Sequence, residues 1–218
     1  LPLAVAVEGR AAPLERMRTI ERRRQTVELD LPARPLRVAL DPRFDLFRLL
    51  DPRELPPTLD ALFGARGLLL VTPAGAPAEA RRAYRALARR WAEGNPEVTV
   101  RGDDAVTAAE LAEADAVWLL GWENRHLGRF RSRLGGAARM TDDGVHLRGE
   151  PLARGGHSVV LTAADDDGTP WGWLAADPPA ALRGLARKLP HYGKYSYLAF
   201  AGAEPSIARK GQWPVTDS

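Results

Sequence analysis

Residues 68–94 read LLLVTPAGAPAEARRAYRALARRWAEG, and this stretch decides the fold class. The unbroken apolar run at its start is typical of a strand that is buried on both faces of a sheet. After a turn bounded by Pro73 and Pro77, apolar side chains recur at helical spacing, at Ala80, Tyr84, Leu87 and Trp91. A buried strand followed at once by an amphipathic helix predicts one βα unit of a parallel sheet.

The same alternation continues towards the C-terminus. It predicts a strand at 98–100, a helix that Thr107 begins, a buried strand at 116–120 and a helix at about 124–134. We therefore predict an α/β domain over residues 67–218, three-layered, with a mostly parallel, flavodoxin-like sheet. Turn sequences at 142–144 and 165–168 predict some antiparallel strands in its second half, and a final strand is predicted at 195–200.

Residues 1–40 have a different pattern, in which apolar and polar side chains alternate in short runs. Strands are predicted near 3–7, 14–19, 25–31 and 36–40. Because three or four strands cannot form a stable sandwich alone, this segment is predicted to be the end of an immunoglobulin-like β-sandwich.

Residues 41–66 are predicted to be a structured connector. Asp-Pro pairs at 41–42 and 51–52 are helix-start signals, and they punctuate short helical turns. Large apolar side chains between them, such as Phe44, Leu49 and Leu50, argue against a flexible linker.

Composition excludes several classes of protein. The chain has 218 residues and no cysteine, which removes disulfides, cysteine nucleophiles and thiolate metal sites. No apolar run approaches the ~20 residues of a membrane span. The first residue is Leu1 and no signal-peptide pattern follows it, so we expect a processed chain or part of a longer product.

Arginine supplies nearly all of the basic charge, although the net charge is only +3. Clusters at Arg22–Arg24 and at Arg125, Arg129 and Arg133 raise the question of nucleic-acid binding. Acidic residues are interspersed and no aromatic residues alternate with the basic ones, so these clusters are interpreted as solvated faces. No nucleic-acid partner is predicted.

Four side chains form one candidate ligand site. His126 and His157 lie near the ends of predicted strands, where α/β sheets place their sites, and Trp122 and Glu123 are close to His126 in the sequence. Either histidine could be a ligand or a general base. The simpler interpretation is a partly buried, hydrogen-bonded imidazole.

The segment LPHYGKYSYLAF, residues 189–200, gives a second group of candidates. His191, Tyr192 and Lys194 could surround a small polar ligand. The simpler interpretation is a packed turn whose side chains satisfy buried carbonyls.

Motifs of catalysis and of cofactor binding are missing from the sequence. It contains no His-Glu-x-x-His, no Gly-x-Ser-x-Gly, no P-loop and no Gly-x-Gly-x-x-Gly. Asp165–Asp167 could bind a hard cation, but adjacent aspartates before a glycine are more typical of a turn. We therefore predict no catalytic residue, no metal and no cofactor.

Two stretches carry a family resemblance. Residues 27–57, VELDLPARPLRVALDPRFDLFRLLDPRELPP, resemble the last strand and exit of the β-sandwich that follows the catalytic domain in aminopeptidase N-like zinc peptidases. LPHYGKYSYLAF and KGQWP, at 210–214, resemble a C-terminal region of bacterial multidomain peptidase-like proteins. The family's metal-binding helix has no matching positions here.

The resemblance implies a non-catalytic accessory domain of a larger, exported protein, located in the periplasm or cell envelope. Its partner would be an upstream domain of the same polypeptide. The alternative is an independent small-molecule-binding or hydrolytic α/β domain with a site at the carboxyl ends of the strands.

Overall fold

The computed structural model describes residues 1–47, 50, 54–136 and 138–214. These residues fall into two compact units that divide between Asp51 and Pro52, within the predicted connector. Leu49, Asp51 and Pro52, on which part of the connector prediction rests, lie outside the described residues. No helix in the described ranges is both long and apolar enough to cross a membrane.

The first unit contains an antiparallel sheet, which we call the amino-terminal sheet. Its described strands are β1 (Pro2–Val7), β2 (Leu14–Met17) and β3 (Pro35–Leu40), in the order β2-β1-β3. The strand predicted at 25–31 is wrong, because that segment has no strand pairing although Val27, Leu29 and Leu31 are half-buried. Alternating burial alone therefore does not produce a strand.

The second unit contains ten strands and five helices among its described residues. In chain order they are α1 (Leu59–Phe63), β4 (Leu68–Thr72), α2 (Ala78–Ala92), β5 (Val98–Gly102), α3 (Ala108–Glu113), β6 (Ala116–Leu120), α4 (Leu127–Arg131), β7 (Ala138–Met140), β8 (Gly144–Leu147), β9 (Glu150–Ala153), β10 (His157–Ala164), β11 (Pro170–Ala176), α5 (Leu182–Lys188), β12 (Tyr197–Ala201) and β13 (Ser206–Gly211).

Seven of these strands form the main sheet, in the order β13-β12-β10-β11-β6-β4-β5. The pairs β11-β6, β6-β4 and β4-β5 are parallel, whereas β13-β12, β12-β10 and β10-β11 are antiparallel. Strands β7, β8 and β9 form a separate antiparallel sheet, which we call the small sheet.

The prediction of a three-layer, mostly parallel, flavodoxin-like fold is therefore wrong. The turn at Asp165–Gly168 joins β10 and β11 as a hairpin, which places an antiparallel strand beside the parallel ones. β13 then adds an edge strand beyond β12, which had been predicted as the last strand. The described fold is a mixed sheet with a second, wholly antiparallel sheet packed on it.

Different elements cover the two faces of the main sheet. One face packs against α1, α2 and α5, with Tyr84, Leu87 and Leu185 buried in its core. The other face packs against α3, α4 and the small sheet, through Phe130 and Val145 among others. The parallel strands β4 and β6 are consequently buried along their whole length, as their apolar runs predict.

An aromatic cluster lies where the parallel and antiparallel halves of the main sheet meet. Trp118 of β6 pairs in register with Gly172 of β11. A Cβ atom at position 172 would lie 2.9 Å from the Trp118 ring, so the missing side chain makes room for the indole. The ring of Trp118 also contacts Phe63 and Trp91, with centroid distances of 5.6 and 5.2 Å.

Local signals explain several element boundaries. The Thr107 hydroxyl accepts a hydrogen bond from the Glu110 amide, and the Glu110 carboxylate accepts one from the Thr107 amide. This capping box confirms the predicted start of α3. The hydrogen bonds from Thr107 lower the pKa of Glu110.

Gly121 gives a test of the backbone geometry after β6. Its φ is +87° and an added Cβ would lie 2.7 Å from Pro73 Cγ, so we expect Gly121→Ala to lower the free energy of unfolding by about 2–4 kcal/mol. Urea unfolding followed by circular dichroism would measure the loss.

Gly128→Ala is the matched control, because an added Cβ there meets no atom within 4 Å. It should leave stability unchanged or raise it by up to about 1 kcal/mol, since alanine is the better helix former. Equal losses in both variants would contradict the close approach at Gly121.

Candidate functional site

The predicted site residues divide between opposite edges of the main sheet. Trp122, Glu123 and His126 follow β6, at the carboxyl edge of the parallel strands. His157 begins β10, which runs antiparallel to β11, so it lies at the same edge.

His191, Tyr192 and Lys194 precede β12. The start of β12 pairs with the second half of β10, through Tyr197 and Leu161. These three residues therefore lie at the amino edge of the parallel strands. The seven candidates do not form one site.

Two buried polar residues hold the loops at the carboxyl edge together. The Asp103 carboxylate accepts hydrogen bonds from the amides of Ala74 and Arg125, both at 2.9 Å. The Asn124 amide donates to the carbonyls of Val71 and Leu120, at 3.0 and 3.2 Å. Asp103 thus links the loops that follow β4, β5 and β6.

Both histidines at this edge contact backbone carbonyls. The Nε2 atom of His126 lies 3.2 Å from the carbonyl oxygen of Asp103. The Nδ1 atom of His157 lies 3.1 and 3.0 Å from the carbonyls of Ala153 and Gly155. These contacts agree with the simpler interpretation, in which each imidazole holds a loop.

Glu123 and Trp122 meet a residue that sequence reasoning did not select. The Arg154 guanidinium lies 2.5 Å from the Glu123 carboxylate and over the Trp122 ring, 5.1 Å from its centroid. All three side chains are half-buried. Arg154 lies 31 residues from Glu123, so no local spacing could have indicated the pair.

Tyr84 is the buried titratable group nearest to this pair. Its hydroxyl accepts a hydrogen bond of 2.9 Å from the Ala176 amide. Burial raises the pKa of Tyr84, and the negative charge of Glu123 adds to the increase. Tyr84 therefore stays protonated at neutral pH and acts here as a polar member of the core.

The turn at the amino edge is held through its carbonyls. Gly193 and Tyr195 accept hydrogen bonds from the first amides of α1, those of Asp60 and Leu59. The carbonyl of Lys194 accepts from the Gln212 side chain at 2.8 Å. The turn thus joins α1 to the C-terminal strand.

The side chains of this turn are separated from one another. His191 and Lys194 are exposed, and the Lys194 ammonium lies 5.3 Å from the centroid of the Tyr195 ring. Tyr192 packs edge-on against Phe200. This arrangement is that of a packed turn.

A cavity of about 310 Å³ lies at the amino edge, between the end of β10 and the segment after α4. Leu55, Leu134 and Trp213 contribute apolar wall. Its charged wall is an ion pair in which Arg133 Nε lies 2.5 Å from Asp165, and the guanidinium lies over Trp171. Asp165 also accepts from the Trp171 indole, so the pair is already engaged on both sides.

Metal binding finds no support in the described ranges, where no group of three His, Asp or Glu residues is arranged to hold an ion. Asp165–Asp167 belong to the β10–β11 turn, in which Asp167 accepts a hydrogen bond from Thr169 that lowers its pKa. Neither a scan against models of protein families nor a search of curated proteins found a match for the sequence. The resemblance to zinc aminopeptidases therefore stays a prediction.

Asp103 gives a test of the structural role of the carboxyl edge. Asp103→Ala removes the acceptor for two backbone amides, and we expect it to lower the free energy of unfolding by about 2–3 kcal/mol. Asp104→Ala is the matched control, since Asp104 is the exposed neighbour, and it should change stability by less than about 0.5 kcal/mol. Urea unfolding of both variants provides the comparison, and similar losses would contradict this role.

Proposed function

We propose that the chain is a non-catalytic interaction module of a larger protein, and that its amino-terminal sheet packs against an apolar sheet of an adjoining domain. The observation that carries the proposal is the exposure of β3. Leu36, Val38 and Leu40 are 64%, 52% and 56% exposed. These are apolar side chains in the alternating positions that normally face a core.

The register of the amino-terminal sheet strengthens this proposal. Leu40 pairs with Leu3 and Val38 with Val5, so these side chains point to the same face of the sheet. Leu3 and Val5 are buried, while their partners on β3 are exposed. The apolar face is therefore covered over β1 and open over β3.

A second sheet is the partner that fits an open apolar strand face. Aligned β-sheets pack about 10 Å apart through alternating apolar side chains, as β3 presents them. A three-stranded sheet is also close to the lower limit of independent stability. The family resemblance supplies the class of the larger protein, an exported zinc aminopeptidase in which this module would accompany the catalytic domain.

The carboxyl edge supports the same proposal indirectly. Asp103, Asn124, His126 and His157 all contact backbone groups of neighbouring loops. Those contacts account for their presence without a substrate. The alternative of a small-molecule site rests on Glu123 and Arg154 beside Trp122.

Charge substitutions on β3 test the docking face. Val38→Lys and Leu40→Lys should change the stability of the 218-residue chain by less than about 0.5 kcal/mol, because both side chains are exposed. In the longer natural product they should destabilise by about 1–3 kcal/mol, because a charge would then be buried. Thermal unfolding and hydrogen exchange of β3 measure both effects.

Ile207→Lys is the matched control, since Ile207 is an exposed apolar residue of the edge strand β13. It should be neutral in both contexts. If the β3 variants behave alike in the short and the long protein, nothing packs on β3 and the proposal fails.

The peptidase assignment needs a separate experiment. Peptide hydrolysis and bound zinc would be measured for the longer product, for the same product lacking residues 1–218, and for this chain alone. Zinc and activity retained outside this chain, with altered kinetics on deletion, are expected. Hydrolysis by the isolated chain would favour the alternative, and Glu123→Gln would then be the first variant to assay.

A further inference from the structure

A second surface, on the helical side of the second unit, has the opposite character to the exposed strand β3. Helix α2 buries Ala80, Tyr84 and Leu87 against the main sheet. Its opposite side presents Arg82, Arg85 and Arg89, all exposed. Their three- and four-residue spacing puts them on one face, over a length of about 10 Å.

Helix α5 extends this face sideways. α2 follows β4 and α5 follows β11, two strands that point in the same direction, so both helices cross back over the same face of the sheet. The Trp91 indole donates a hydrogen bond of 3.0 Å to the Ala186 carbonyl and ties the two helices together. Arg183 and Arg187 are exposed on α5. We call the exposed arginines of α2 and α5 the arginine face.

The charge on this face is concentrated and not neutralised. The two helices carry seven arginines and one lysine against a single glutamate, Glu79, although the net charge of the whole chain is only +3. Within the described residues, Arg82, Arg85, Arg89, Arg183 and Arg187 form no hydrogen bond or ion pair with a carboxylate. Elsewhere Arg101, Arg133 and Arg154 do pair with acidic residues.

Helix electrostatics explain only part of the arginine face. Basic residues in a last turn, such as Arg89 and Arg187, interact favourably with the helix dipole. Arg82 and Arg85 lie earlier in α2, and Arg183 lies in the first turn of α5, where a positive charge gains nothing from the dipole or opposes it. Helix stability therefore does not account for these three.

We infer that the arginine face binds the surface of an anionic phospholipid bilayer. Guanidinium groups match phosphate geometry, and the two helices lying side by side offer several of them at once. No apolar side chain larger than alanine is exposed between these arginines on α2. Binding is therefore electrostatic and peripheral, without insertion into the hydrocarbon.

Nucleic acid fits the same face less well. Neither helix contains Ser, Thr, Asn or Gln, the side chains that read base edges alongside arginine. The aromatic residues of α2 point inward, Tyr84 into the core and Trp91 against Phe63 and Trp118, so bases have no platform on which to stack.

Vesicle co-sedimentation tests the inference on the full 218-residue chain. Vesicles of phosphatidylcholine with about a third phosphatidylglycerol should bind the chain at low salt, whereas pure phosphatidylcholine vesicles should not. Because each arginine near an anionic surface contributes about a fivefold factor, the triple variant Arg82→Gln, Arg85→Gln, Arg89→Gln should bind at least tenfold more weakly. Added salt should have a comparable effect.

The matched control is Arg22→Gln, Arg23→Gln, Arg24→Gln, which removes the same charge from three exposed arginines of the first unit. It should keep most of the vesicle binding. Equal losses in the two triples would mean that net charge alone drives binding and would overturn the inference. No binding by the unmodified chain would overturn it too, and would mark the arginine face as a solvated helix surface.

An oligonucleotide competition distinguishes the other polyanion. A 20-nucleotide duplex that binds more tightly than the vesicles, and loses that binding in the α2 triple, would assign the face to nucleic acid and overturn the inference. Circular dichroism confirms folding of each variant. The pair Arg85→Gln, Arg89→Gln replaces the triple if the triple does not fold, with an expected loss of at least fivefold.

Discussion

The indole of Trp118 lies over the backbone of Gly172, and the second unit depends on this contact. β6 and β11 are the strands at which the parallel half of the main sheet meets the antiparallel half. Because Gly172 has no side chain, the two strands pair while a large aromatic ring occupies the space above them. The same ring supports Phe63 of α1 and Trp91 of α2, so two helices are positioned by one strand pair.

That arrangement has a functional consequence for the two edges of the main sheet. Loops at the carboxyl edge are held by Asp103 and Asn124, and the turn at the amino edge is held by α1. Polar side chains that sequence reasoning separates into candidate ligands are thus used to fix loops in place. The surfaces left for partners are the exposed strand β3 and the arginine face, which differ in chemistry and belong to different units.

Part of this fold follows directly from the sequence. β4 and β6 are predicted correctly because strands buried on both faces are apolar without interruption, and the start of α3 follows from the Thr107 cap. The direction of β10 depends on tertiary pairing, which an apolar run does not encode, and this is why the flavodoxin-like prediction is wrong. β13 was missed because an exposed edge strand such as Ser206–Gly211 has little apolar periodicity.

The candidate site was harder to predict than the fold. Asp103 follows β5 directly, and that position at the end of a parallel strand was the available signal for its role. Arg154 could not be found in this way, since its contact with Glu123 joins loops that are distant in sequence. Residues 191–194 drew attention through their unusual composition, yet what the structure uses most is their backbone carbonyls.

Thr162, in the second half of β10, contacts both ends of the second unit. Its hydroxyl donates to the Pro57 carbonyl at 2.6 Å, and its own carbonyl accepts from the Trp213 indole at 2.7 Å. The chain therefore comes into this unit and leaves it at neighbouring points. A fold closed in this way can be carried as an insert between two segments of a host polypeptide without forcing them apart, so its architecture suits a transferable cassette as well as a terminal extension.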